Sequence, residues 1–338
     1  MRILLLRFSS LGDVILTMPV ALALRQKYTG ATVDLGTKID YRGLFTPPSP
    51  FTRVIYLDGD GIMPFVKKVN EQRYDVIGDL HASLRTVMIV PLLKAGTRKR
   101  YRKGAVARRT FVETGIRLSP FPSVLRRYLA TFGIDGLPDT PWLGTSPEEK
   151  QRGHAILRRA GAAGNRVLGI APGAKWGTKK WGIGRYAELA RRLEQRGFDA
   201  VFIFGKGDEG VRDELVTVSP LAKTIDVREY LLRDIGYAVA AMDVFVGGDT
   251  GLMHLAEAVG TPLVALFGPT TREFGFFPAG RKSVVIEKDF RCRPCSLHGS
   301  MACKYAHHRC MEDITVEEVE SALVGLTGQP DVSRVMTV

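Results

Sequence analysis

The chain has 338 residues, 45% hydrophobic and 25% charged, and no apolar run reaches the ~18 residues a membrane-spanning helix needs. Its length exceeds the ~100–200 residues of a typical domain, so two domains of comparable size are expected. The formal net charge of +13 is uneven: residues 1–150 hold 23 Lys/Arg against 13 Asp/Glu and the remainder 25 against 22, so an anionic partner is expected to meet the first half.

Met1-Arg2 and the apolar residues 3–6 look at first like a signal peptide. Arg7 interrupts the run and no small-residue cleavage site follows, so the stretch reads as a first buried strand. The turn 9–13 (Ser-Ser-Leu-Gly-Asp) then leads into an amphipathic helix through about Tyr28. Residues 32–35, 54–57, 76–80 and 96–101 predict further strands, with helices at about 62–71 and 84–93. Such alternation implies a mostly parallel sheet covered by helices on both faces. The densest basic cluster, residues 98–103 followed by Arg108-Arg109, suits nucleic acid, an anionic membrane surface or an anionic small acceptor; a solvated face without a partner is the plain alternative. The Pro-rich segment 136–141, with Pro147 further on, reads as an interdomain linker.

The second half repeats the plan. Strands are expected at 167–171, 200–204, 244–246 and 262–267, a helix at 186–196, and all four strands run into glycine. In open parallel sheets ligands bind beyond the carboxyl ends of the strands, where glycine lets backbone amides approach a phosphate. The second half is therefore the better nucleotide site, although it has neither a G-x-G-x-x-G nor a Walker pattern.

Three segments there carry chemistry. Asp249 and Thr250 sit where an N-cap belongs, before a helix whose free amides form an anion seat; Gly251 follows, and His254 lies one turn on. An ordinary capped helix is the bland alternative. The loop 171–182 carries Lys175, Lys179 and Lys180, which suit a leaving diphosphate. Asp208 and Glu209 end another strand, where a carboxylate can hold ribose hydroxyls or cap a helix. In the first half Asp13 is either a helix cap or, facing the nucleotide across a cleft, a general base.

Together the opening Arg-Ile-Leu-Leu-Leu-Arg-Phe-Ser-Ser-Leu-Gly-Asp-Val, the Pro172-Gly173-Ala174 loop with Lys179-x-Trp181, the Gly-Asp-Thr-Gly-x-x-His run and Leu266-Phe267-Gly268-Pro269-Thr270 resemble the lipopolysaccharide heptosyltransferases of glycosyltransferase family nine, over residues 1 to about 325. The resemblance implies an α/β fold of two Rossmann-like domains facing across a cleft (GT-B type). It implies an acceptor domain at 1–145 and a donor domain at 146–328, with the last helix packing back towards the first domain. It further implies an ADP-heptose donor, inversion at the anomeric carbon and no required cofactor. By position, Asp13 resembles the catalytic base and Lys179 the diphosphate-binding lysine. Glu209 resembles the ribose-holding residue, and Asp249, Thr250, Gly251 and His254 the donor loop. Arg7, Ser9, Ser10 and Gly12 fall in the acceptor-side turn. Gly182 stands where the family often has proline.

The segment 79–85, with His81 and Arg85, also resembles a family segment at the cleft. With Arg100 it would suit an acceptor such as Kdo on lipid A or a heptosylated core, and the basic charge would hold a cytoplasmic enzyme at the anionic inner leaflet without nucleic acid as a partner. All four cysteines, Cys292, Cys295, Cys303 and Cys310, fall in one segment with His298, His307 and His308. Their spacing fits a structural zinc site, two disulfides or free thiols, none of them needed for chemistry. The rival readings are a same-fold transferase or epimerase working on another sugar nucleotide such as UDP-GlcNAc, and a non-catalytic nucleotide-binding protein.

Overall fold

The computed structural model describes residues 1–45, 49–59, 61–116, 122–135, 143, 145–164 and 166–328. In the first half β1 (Arg2–Leu6), α1 (Leu11–Ile15), α2 (Thr17–Lys27), β2 (Thr32–Lys38), β3 (Arg53–Leu57) and α3 (Ile62–Asn70) precede β4 (Tyr74–Asp79), α4 (Leu84–Ile89), β5 (Ala95–Arg100), α5 (Ala105–Thr114) and α6 (Val124–Ala130). The strands form one parallel sheet in the order β3-β2-β1-β4-β5. The continuous apolar run of β1 follows from that place, since a central parallel strand is buried on both faces.

The second half starts with α7 (Pro147–Arg159), β6 (Val167–Ala171), α8 (Ile183–Glu194), β7 (Asp199–Phe204), α9 (Glu209–Val218) and β8 (Lys223–Asp226). It continues through α10 (Leu232–Ala240), β9 (Val244–Gly248), α11 (Gly251–Val259), β10 (Leu263–Phe267), β11 (Ser283–Glu287), α12 (Arg309–Glu312) and α13 (Val316–Leu326). Its six parallel strands run β11-β10-β9-β6-β7-β8. Both sheets have the doubly wound order, whose strand sequence reverses between β1 and β4 in one and between β6 and β9 in the other, the kind of place where open α/β sheets bind ligands.

Several local expectations change. The helix expected through Tyr28 breaks at Leu16, because Pro19 has no N–H for the Ile15 carbonyl and its ring crowds that turn. The helix expected at 84–93 ends at Ile89 and tightens into a 3₁₀ turn, Val90–Leu92, around Pro91. Pro147 is not linker: it is the first residue of α7, behind a Ser146/Glu149 capping box. Residues 136–141 of the expected linker lie outside the described residues. The short outer strands β8 and β11 were not expected.

The last described helix, expected to pack back towards the first half, lies on the second sheet. Val319, Leu323 and Val324 of α13 join the apolar cluster of Leu168, Ile170, Val244 and Leu266 on the second sheet. A different cluster links the halves, running from Ile3, Leu5 and Val14 through Leu143 to Met253, Leu255 and Phe267. Polar bonds accompany it: Val124 N donates to Gly275 O at 3.1 Å and Arg127 Nη2 to Phe274 O at 3.0 Å. Among the described residues no helix is long and apolar enough to cross a membrane.

Candidate active site

At the end of β1 the chain turns through Arg7, Phe8 and Ser9 to Ser10, the N-cap of α1. Asp13, the third residue of that helix, closes a capping box. Ser10 N and Ser10 Oγ donate to its Oδ2 at 3.1 and 2.8 Å, and Arg7 Nη2 lies 2.7 Å from the same oxygen. Arg7 is itself held by the Leu80 carbonyl after β4, 2.8 Å from Nη1. Among the described residues the other oxygen, Oδ1, has only a 3.4 Å contact from the Tyr128 hydroxyl of α6. Burial opposes ionisation of Asp13, but the Arg7 charge and the Ser10 bonds outweigh it, so its carboxyl lies below the ordinary aspartate value. Capping and availability to a reactant thus coexist, one on each oxygen.

Across the crevice, β9 ends at Gly248 and α11 begins at Gly251. Lys179, closing the 3₁₀ turn Gly177–Lys179, pairs with Asp249 Oδ2, to which Thr270 Oγ1 also donates at 3.0 Å. Thr250 holds the N-cap position as expected, but its hydroxyl makes no cap bond; it is buried without a hydrogen-bond partner among the described residues. His254 is buried too, its Nδ1 likewise unpartnered among the described residues, and burial lowers its pKa.

The helices α1 and α11 meet at their N-terminal ends. A Cβ on Gly12 would stand 2.3 Å from His254 Cδ2, and one on Gly251 would stand 2.8 Å from Leu11 Cβ. These two missing side chains let the helices approach. The contact brings Asp13 and the 249–254 segment, far apart in sequence, to one junction.

Glu209 lies further out. It begins α9, is exposed and pairs with Arg228 at 2.7 Å. Asp208 does not cap α9 through its side chain; its carboxylate accepts from Gly205 N at 2.7 Å and fills the space where a Cβ on Gly173 would meet it at 2.1 Å. Burial raises the Asp208 pKa. The glycines after β6 and β7 thus make room for a carboxylate of the protein itself.

On the first half's side, His81 N donates to buried Asp79 at 3.0 Å, and Arg100 Nε lies 3.4 Å from the same carboxylate. The His81 ring stands edge-on to Phe8, and burial, helped by Arg7 and Lys103, pushes its pKa down to about 4. Arg85 is exposed on α4 and reaches the group only through its charge on His81. Arg7, Ser10, Gly12 and His81 are therefore gathered round Asp13, with Arg100 joined through Asp79, while Arg85 and Glu209 are peripheral.

Tyr128 and Arg228 were not singled out from the sequence, and His298 was named only beside the cysteines. The loop bearing His298 is fastened to the Lys179 turn: Thr178 N and Oγ1 both donate to Ser300 O, at 3.0 and 2.9 Å, and Ser300 N donates back to Thr178 Oγ1. His298 lies within range of the charges of Arg108, Lys179 and Asp13, and burial lowers its pKa. Its neighbourhood in sequence, crowded with cysteines, concealed that placement. The cysteines themselves are separate thiols, Cys292 Sγ being 3.7 Å from His307 Nε2. Among the described residues no three His, Cys, Asp or Glu side chains form a group fit to hold a metal ion, and the cysteines are not joined in disulfides.

A sequence profile of glycosyltransferase family 9 (heptosyltransferase) matches residues 62–306. Lipooligosaccharide heptosyltransferase 2 of Campylobacter jejuni is 27% identical over 161 residues, so the chain matches about half of that relative's length (49%) and 46% of its own. Lipooligosaccharide heptosyltransferase 2 of Haemophilus influenzae is 26% identical over 312 residues, 85% of this chain and 88% of the relative. The structure of Escherichia coli ADP-heptose LPS heptosyltransferase II shares the fold with a TM-score of 0.78 at 23% identity, over 97% of this chain and 98% of the other. That of E. coli heptosyltransferase WaaC with ADP-2-deoxy-2-fluoro heptose does so with a TM-score of 0.64 at 17% identity, over 95% and 98%.

Proposed function

The chain belongs to glycosyltransferase family 9, and from that premise we propose that it moves heptose from ADP-heptose to an anionic lipopolysaccharide inner-core acceptor, with inversion at the anomeric carbon. The observation that supports this reading best is the junction of α1 and α11, where a carboxylate with one oxygen left to a reactant faces a helix end bearing unpartnered polar groups. The relatives named for heptosyl transfer, one of them solved with an ADP-heptose analogue, favour heptose over UDP-GlcNAc chemistry.

In this reading residues 1–145 take the acceptor and 146–328 the donor. Asp13 accepts the proton of the acceptor hydroxyl through Oδ1. The hydroxyl oxygen bonds to the anomeric carbon as the bond from that carbon to the phosphate oxygen breaks, and ADP leaves from the opposite face. Lys179, with the α11 amides at Thr250 and Gly251, balances the charge that develops on the diphosphate. Glu209 holds the ribose and His254 the heptose. Arg7, Ser9, Ser10, Gly12, His81, Arg85 and Arg100 line the acceptor's approach. The acceptor, lipid A bearing Kdo or a heptosylated core, is membrane-anchored, so the enzyme works from the cytoplasmic side at the inner leaflet.

The test incubates the purified protein with ADP-heptose or UDP-GlcNAc and with Kdo-bearing lipid A or a heptosylated core, and reads the product by mass spectrometry. One added heptose from ADP-heptose is expected. Transfer from UDP-GlcNAc alone, or no transfer to either acceptor, overturns the reading.

A further inference from the structure

The stretch 81–112 contains nine Lys/Arg and no Asp or Glu. Within it lies an apolar face that the fold leaves uncovered. Leu84, Val87 and Met88 of α4 and Leu92 of the following turn are 84, 46, 59 and 47% exposed, while Thr86 and Ile89 on the other side of α4 are buried. The spacing i, i+3, i+4 puts the three α4 residues on one side of the helix. Exposed Arg85 and Lys94 flank them, and the next element, β5, is an edge strand carrying Arg98 and Lys99. Single exposed apolar residues are ordinary on a protein surface; four together, flanked by Arg85, Lys94, Arg98 and Lys99, mark a contact surface.

Charge decides what covers it. A second copy would bring two acid-free basic segments together, which repels. Nucleic acid would satisfy the cations and leave Leu84 and Met88 in water. We infer that this face docks on an anionic lipid bilayer, the apolar side chains entering the headgroup–acyl boundary while the surrounding Lys and Arg meet lipid phosphates. The inference rests on the proposed function in one respect. Asp79, the last residue of β4, contacts both His81 and Arg100, so a bilayer held against α4 presents a lipid-anchored acceptor beside Asp13.

The test is co-sedimentation of the full chain with vesicles of phosphatidylcholine, with and without phosphatidylglycerol, for the parent and for Leu84→Asp/Met88→Asp. The parent is expected to partition onto anionic vesicles and not onto phosphatidylcholine alone, and the double variant to partition about tenfold less. Transfer of heptose to a deacylated, water-soluble acceptor should be unchanged in the variant. If that variant fails to fold, Leu84→Ser/Met88→Ser is expected to show the same loss of partitioning. Equal partitioning of parent and variant, no partitioning of the parent, or a parent dimer that the variant abolishes overturns the inference. A parent that transfers heptose to the soluble acceptor without binding vesicles sinks the docking surface and leaves the function standing. A parent that binds vesicles and transfers to no acceptor does the reverse.

Discussion

The imidazole of His254 occupies the space where Gly12 has no side chain: a Cβ there would come within 2.3 Å of Cδ2 and 2.9 Å of Cγ. The contact joins the helix bearing Asp13 to the helix that follows β9.

Gly12→Ala is therefore expected to part α1 from α11 or displace the ring, lowering stability by about 1–3 kcal/mol, as overpacking of a dense interior does. Melting temperature and turnover should both fall. Adding His254→Ala removes the clash, so the double variant should regain melting temperature without regaining turnover. A single Gly12→Ala variant as stable and active as the parent would show that the junction yields freely.

Asp13→Asn keeps the size of the side chain and an oxygen for the cap, and loses basicity. Turnover is expected to fall by about 10²- to 10⁴-fold with donor binding retained. Asp13→Ala should in addition cost about 3–5 kcal/mol of stability, because it opens the capping box and leaves the buried Arg7 charge unpaired. Full activity in Asp13→Asn would leave the residue with a capping role only.

The pH dependence follows from Arg7. Asp13 has a folded pKa below its unfolded one, so its contribution to stability is present above the ordinary aspartate value and lost as pH falls through the lower folded value. The acid limb of kcat/KM is expected to lie correspondingly low. In Arg7→Met the main charge holding Asp13 ionised is gone and burial remains, so the limb should move to higher pH. A pH profile that keeps its acid limb in this variant would separate that limb from Asp13.

In the proposed reading Lys179→Met removes a charge-assisted contact to the diphosphate, and it takes from Asp249 its Lys179 ion pair. ADP affinity measured by calorimetry should weaken by about 1.5–3 kcal/mol. Stabilisation of the fold by added ADP should shrink with it. Unchanged ADP affinity together with unchanged turnover would contradict the assignment.

Much of the architecture was legible along the chain, because parallel strands buried on both faces read as unbroken apolar runs such as residues 3–6 and 263–267. The outer strands β8 and β11 were not: Lys223 and Glu287 at their ends dilute the apolar signal of an edge position. The motif residues round Asp13 and Asp249 could be named because backbone turns with fixed chemistry surround them. Tyr128 could not, since its contact with Asp13 spans 115 residues and leaves no periodic trace. Glycine was legible in place but not in purpose: next to Asp208 and His254 its missing side chain serves neighbours within the protein.

The apolar cluster that begins under β1 and ends at Phe267 belongs to neither half alone. Protein engineers often treat two-lobed transferases as cassettes, exchanging one lobe to change the sugar or the acceptor. Here a graft at the connection would inherit half a core, with Val14 and Leu255 meeting strangers, so a working chimera has to carry both faces of α1 and α11 as one inherited unit.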